Sequence, residues 1–114
     1  MPFIHIRTNQ KIASEAELRL KTQLGQAISL IPGKSEHYLM LQFSDGCRMH
    51  FQGDSDRPIA FVEVMLYGKA SPEACGELTA AVSKALKETL GIDAGNVYTA
   101  YFQTPDWGWN GSNF

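Results

Sequence analysis

The sequence predicts an α+β fold in which two tandem β-α-β units form one four-stranded mixed sheet with two helices on a single face. Three observations lead there. Two helical stripes each open at a serine and close at a glycine, between Ser14 and Gly33 and between Ser71 and Gly91. Each stripe lies between stretches whose apolar residues alternate with period two. At 114 residues the chain has room for one domain around one core. A helix joining two neighbouring strands makes those strands parallel and the connection right-handed. The two units run from Pro2 to Phe43 and from Ile59 to Gln103.

In the first strand Pro2, Ile4 and Ile6 point one way, and Phe3, His5 and Arg7 the other. After a loop over 9–13, Ser14-Glu15-Ala16-Glu17 has the form of a capping box, with the serine oxygen facing an early amide and Glu17 reaching back. Leu20, Leu24, Ala27, Ile28 and Ile31 form the stripe of the first helix, and Pro32-Gly33 stops it. A second strand covers 38–43 with Leu39, Leu41 and Phe43 inward. Ser44-Asp45-Gly46 is a turn, 47–51 a short return strand, and 52–58 a loop. In the strand over 59–66, Ala60, Val62, Val64 and Leu66 share one face, with Phe61, Glu63 and Met65 on the other. Ser71 caps the second helix and Pro72 takes its first position. Cys75, Leu78, Val82, Ala85, Leu86 and Leu90 form its stripe, and Gly91 ends it. The last long strand covers 97–103, ahead of a tail rich in aromatics and glycine.

Composition excludes several classes. The chain is 44% hydrophobic and 19% charged with a formal net charge of −2, and it has neither a basic stripe for nucleic acid nor an apolar run for a membrane. Arg7 and Asn9 interrupt the first apolar stretch too early for a secretory signal. Cys47 and Cys75 form no CxxC pair, so a reduced pair in the cytoplasm is expected, with Cys75 a small core residue. His5, His37 and His50 lack metal-ligand spacing, and no metal or cofactor is expected.

Helices on one face leave the other face of the sheet open. The pattern places Phe3, Tyr38, Met40, Phe61, Met65, Val97 and Tyr101 there, among His5, Arg7, Gln42, Glu63 and Thr99. That is too apolar for water and too polar for a dry core. Self-association around a wet channel resolves the conflict and predicts a symmetric oligomer.

The opening Met1-Pro2 carries possible chemistry. Removal of Met1 turns the Pro2 nitrogen from an amide into a secondary amine. An α-amino group titrates at about 7.7–8.0 and burial lowers that value. A free base of this kind suits abstraction of a proton beside a carbonyl. Many proteins begin Met-Pro for processing alone, so these two residues do not decide the function.

Together, Pro2 after Met1, the two units, Gly33-Lys34, the Val97-Tyr98 strand and the tail from Trp107 to Phe114 resemble the macrophage migration inhibitory factor family of the tautomerase superfamily. The likeness covers nearly the whole chain. It implies a homotrimer with a central channel and active sites between subunits. The implied activity is keto-enol tautomerisation of a small aromatic 2-oxo acid such as phenylpyruvate, with dopachrome-like substrates as a further class and no cofactor. Pro2 is then the base and Lys34 the cation that meets the carboxylate or oxygen. Tyr67 stands where relatives have isoleucine, with its backbone N–H on the carboxylate. Tyr98 reaches the site from a neighbouring subunit, and Tyr38, Trp109 and Phe114 form an aromatic wall. Read alone, Lys34 is better taken as a solvated lysine at a helix end, Tyr98 is equally a core-facing strand aromatic, and the wall residues serve as well to seal the trimer.

Three departures qualify the likeness. Ala100 replaces an asparagine that holds a phenolic hydroxyl in the mammalian factor. Ile59-Ala60-Phe61-Val62 replaces its Cys-x-x-Cys, which removes the proposed thiol chemistry. The segment between Gln103 and Trp107 is shorter by about two residues. Two rivals follow: a cytokine-like effector, exported without a signal peptide, that binds a receptor; and a trimer that binds aromatic acids without turnover.

Overall fold

The computed structural model describes residues 1–114. β1 (Pro2–Thr8), α1 (Ser14–Ala27) and β2 (Met40–Ser44) form the first unit, and β3 (Ala60–Tyr67), α2 (Pro72–Leu90) and β4 (Val97–Thr104) the second. The sheet order is β2-β1-β3-β4. β1 runs parallel to β2 and β3 parallel to β4, while β1 and β3 are antiparallel. The expected mixed sheet and the pairing within each unit are both present. A hairpin of β5 (Gly108–Trp109) and β6 (Ser112–Asn113) closes the chain.

The core lies between the sheet and the two helices. Ile4 and Ile6 of β1 and Ala60, Val62, Val64 and Leu66 of β3 meet Leu20, Leu24, Ile28 and Ile31 of the first helical segment. Ala74, Leu78, Val82, Ala85 and Leu86 complete it from α2. Burial of this apolar surface is the main favourable term in the fold.

α2 is built as its sequence requires. The Ser71 hydroxyl accepts the N–H of Ala74 at 3.1 Å, and Pro72 follows. Gly91 takes a left-handed conformation (φ 67°) that a side chain resists, and its N–H donates to the Lys87 oxygen. The first helix departs from expectation at both ends. Ser14 is already its first helical residue; the cap is Ala13, whose carbonyl accepts Glu17 N–H, and no side chain caps the helix. The entry is fixed by Ile12, whose N–H donates to Asp45 Oδ2 at 2.8 Å, so the turn starts before the serine can serve. At the other end α1 stops at Ala27 and tightens into a 3₁₀ turn over Ile28–Leu30, ahead of Pro32-Gly33.

The expected return strand over 47–51 is absent. Cys47 N–H donates to Thr8 O and Gly46 N–H to Gln10 O, so the segment is tied to the end of β1. A single bridge, Phe51 with Asp54, remains. The second strand also starts later than expected, because Glu36–Tyr38 forms a 3₁₀ turn.

β4 has the opposite phase to the expected one. Its register pairs Ala60 with Val97, Val62 with Thr99 and Val64 with Tyr101, which puts Val97, Thr99 and Tyr101 on the helix side. Tyr101 tolerates that layer because its hydroxyl donates to Cys75 O at 2.7 Å and meets Thr79 Oγ1 at 2.9 Å. The open face instead carries Tyr98, Ala100 and Phe102 beside Phe61, Glu63 and Met65. Tyr98, Phe102, Met40 and Met65 are exposed there. Polar groups interleave them: Glu63 pairs with Arg7, and His5 Nε2 lies 2.8 Å from Ser44 Oγ.

Candidate active site

The N-terminus lies where β1 begins and β3 ends, since Pro2 pairs with Leu66. Pro2 is buried on the core side of β1. The Tyr67 N–H donates to the carbonyl of Met1 at 3.1 Å. Lys34 reaches the same place from the turn that follows the first helical segment, within the same unit as Pro2. The left-handed Gly33 (φ 81°) turns the chain, Lys34 N–H donates to Ile31 O, and the side chain extends toward β3. Its Nζ donates to Tyr67 O at 2.8 Å and sits 5.8 Å from the centre of the Tyr67 ring. The terminal amine of Met1 is held below its ordinary value of 8.0, first by desolvation and then by the charge and hydrogen bond of Lys34.

Aromatic side chains wall this corner. Phe114 meets the Tyr67 ring at 5.0 Å, and its N–H donates to Trp107 O. Trp109 stands edge-on to Tyr38 at 6.0 Å. The closing hairpin makes this possible: Asn110 (φ 54°) and Gly111 (φ 84°) take the two left-handed positions of its tight turn. Tyr38, Trp109, Met40 and Pro2 share a cleft of about 510 Å³ with Phe3 and Trp107. A second hollow of about 360 Å³ has Lys34, Tyr67 and Lys69 on its wall and shares no lining residue with the first.

Of the seven residues singled out in the sequence, six gather here: Pro2, Lys34, Tyr67, Tyr38, Trp109 and Phe114. Tyr98 does not. It pairs with Phe61 at the far end of β3, five positions from Leu66, roughly 16 Å along the strand. It is 59% exposed on the open face, which removes the reading of Tyr98 as a core aromatic. Phe3 and Trp107 line the cleft and were not singled out; the Asn-Gly pair between Trp109 and Ser112 was the signal that could have placed the Trp107 segment.

The corner offers an N-terminal nitrogen, a cation, a backbone N–H and an aromatic wall at one end of a doubled β-α-β sheet. These are the parts, within one chain, that the resemblance to the macrophage migration inhibitory factor family implies. Comparison with known proteins agrees. The family model described as Macrophage migration inhibitory factor (MIF) matches residues 1–114, and the chain belongs to this family. The crystal structure of Leishmania major MIF2 superposes with a TM-score of 0.92 at 31% identity, covering 100% of this chain and 97% of that one. The homologue from Prochlorococcus marinus gives 0.88 at 30% identity, with 98% of each chain covered. Pt0534, solved after inactivation by 2-oxo-3-pentynoate, shares the fold at a TM-score of 0.81 and 22% identity, covering 96% of this chain and 93% of that one. No protein with a curated description matches.

Proposed function

We propose that the protein, once Met1 is removed, is a keto-enol tautomerase of small aromatic 2-oxo acids such as phenylpyruvate, working as a homotrimer. The observation that carries this reading is the Lys34 ammonium beside the chain terminus, with the Tyr67 N–H occupied only by Met1. Loss of Met1 exposes the Pro2 nitrogen and releases that N–H together. Pro2 then takes a proton from the carbon next to the ketone. The electron pair of that C–H bond moves into the new C=C bond, and the carbonyl oxygen becomes an enolate. Lys34 and the Tyr67 N–H oppose the negative charge of the carboxylate and of the developing enolate. Protonation of the oxygen gives the enol, and the reverse sequence returns the ketone. Tyr38, Trp109 and Phe114 hold the aryl group through their faces and edges.

The trimer supplies what one chain lacks. β2 and β4 are both edge strands, and the open face between them carries exposed Met40, Met65, Tyr98 and Phe102. Covering that face brings Tyr98 of one subunit toward the N-terminal corner of the next. 2-Oxo-3-pentynoate is a direct test. Conjugate addition joins an amine nitrogen to the alkyne carbon while the nitrogen's proton passes to the product. A single adduct on the Pro2 peptide, formed as turnover is lost, is expected. An unmodified N-terminal peptide in Met1-free protein, or full enolisation by Pro2→Gly, overturns the reading.

A further inference from the structure

We propose that Phe51 and Arg57 are positioning residues for Tyr98 and so set the substrate affinity of the neighbouring subunit's site. The inference rests on the tautomerase reading above, in which Tyr98 serves a site it does not share a chain with. The Tyr98 ring projects from an exposed sheet face, and an unsupported ring there samples several rotamers. Here it meets the edge of Phe51, with ring centres 5.0 Å apart and planes at 81°. Such T-shaped pairs are favoured beyond simple burial.

Phe51 is itself held in place. Its N–H donates to Asp54 O at 2.8 Å, and Asp54 N–H donates back to Phe51 O at 3.0 Å. Between them Gln52 (φ 53°) and Gly53 (φ 75°) both take left-handed conformations. Glutamine is disfavoured there, so the turn persists only because its surroundings hold it. Arg57 provides the hold. Its Nη2 donates to Phe51 O at 3.0 Å, its guanidinium lies 5.7 Å from the Phe51 ring, and its Nε is 3.8 Å from Asp54 Oδ2. The Arg57 carbonyl accepts from Asn9 Nδ2 at 2.8 Å, while Asn9 Oδ1 accepts Ile59 N–H. The clamp is thus anchored to the end of β1 and the approach to β3, the strand that carries the site's Tyr67. No other aromatic ring stacks on Tyr98 within the chain.

Steady-state enolisation of phenylpyruvate by Met1-free protein tests this. Arg57→Gln and Phe51→Leu should each raise KM about two- to tenfold with a smaller effect on kcat, the range that losing one aromatic contact supports. Tyr98→Ala should raise KM at least as much, and adding Phe51→Leu to it should change little. Co-expressing Phe51→Leu subunits with Pro2→Gly subunits should restore the low KM at mixed interfaces, where a working Pro2 meets a well-held Tyr98. A purely structural role would give no such rescue in trans. Unchanged KM in Arg57→Gln and Phe51→Leu, while Tyr98→Ala raises it, overturns the positioning role and leaves the tautomerase reading intact. So does an additive double variant. Unchanged kinetics in Tyr98→Ala overturn the placing of Tyr98 as well. Should Phe51→Leu fail to fold, Arg57→Gln carries the test alone.

Discussion

Lys34 donates from its ammonium to the backbone oxygen of Tyr67 at 2.8 Å, while the Tyr67 N–H donates to the Met1 carbonyl. One residue of β3 therefore joins the cation from the first unit to the start of the chain. On the proposed reading, loss of Met1 frees that N–H, and a carboxylate entering this corner would meet a charged donor and a backbone donor side by side. Lys34→Ala should lower kcat/KM for phenylpyruvate by about ten- to a hundredfold, as expected for loss of a hydrogen bond to a charged group. The loss should fall mainly on KM. An unaltered KM removes Lys34 from the substrate's path.

The pH profile follows from the same contacts. The terminal amine of Met1 is held below 8.0 by desolvation first and by Lys34 second. On the proposed reading, the Pro2 nitrogen of the processed protein takes over the place at the chain terminus beside Lys34, and the same two causes are expected to act on it. Its neutral form is the base, so kcat/KM should fall as pH drops through its pKa and be level above it. The acid limb should lie below the ordinary α-amino range of about 7.7–8.0. Lys34→Ala should move that limb toward higher pH, because a repelling charge is gone. A limb at or above the ordinary range, or one that ignores Lys34, contradicts the proposed base.

The units and their pairing were legible in the sequence because local signals agree with the tertiary arrangement. Ser71, Pro72 and Gly91 bound α2 as written, and the inward faces of β1 and β3 alternate cleanly. β4 was not legible in phase. Each of its faces mixes apolar or aromatic residues with polar ones, and the deciding contact is the bond from the Tyr101 hydroxyl to Cys75 O, 26 residues away. The site was legible in part. Pro2 and Lys34 announce themselves by position, whereas Phe3 and Trp107 reach the cleft through strand phase and the closing hairpin. Tyr98 stands apart from Pro2 within one chain, and no local signal brings them together.

Helix caps give a paired test of where sequence signals hold. Ser71→Ala removes the acceptor of Ala74 N–H and should cost about 1 kcal/mol of stability. Ser14→Ala should cost only a few tenths, because Ala13 is the cap and the serine is exposed. Urea unfolding at one protein concentration measures both. Equal losses would restore the capping box at Ser14.

His5 makes stability depend on pH in a definite direction. It is 9% exposed, with Nε2 at 2.8 Å from Ser44 Oγ and Nδ1 at 3.7 Å from Glu63 Oε1. Burial first, and Arg7 second, hold its pKa below 6.5, while Glu63 opposes them. The unfolded chain therefore binds the His5 proton more readily than the folded one. Linkage then makes stability rise with pH across the interval between the two pKa values. His5's contribution should be complete above 6.5 and decline as pH falls from there through the folded-state value. His5→Gln, which keeps a polar group opposite Ser44, should flatten that segment of the stability curve relative to the parent chain. Carboxylates without a contact to His5 cancel in the difference between the two curves. A difference that grows as pH rises above 6.5 would require the opposite balance, with Glu63 dominating over burial and Arg7.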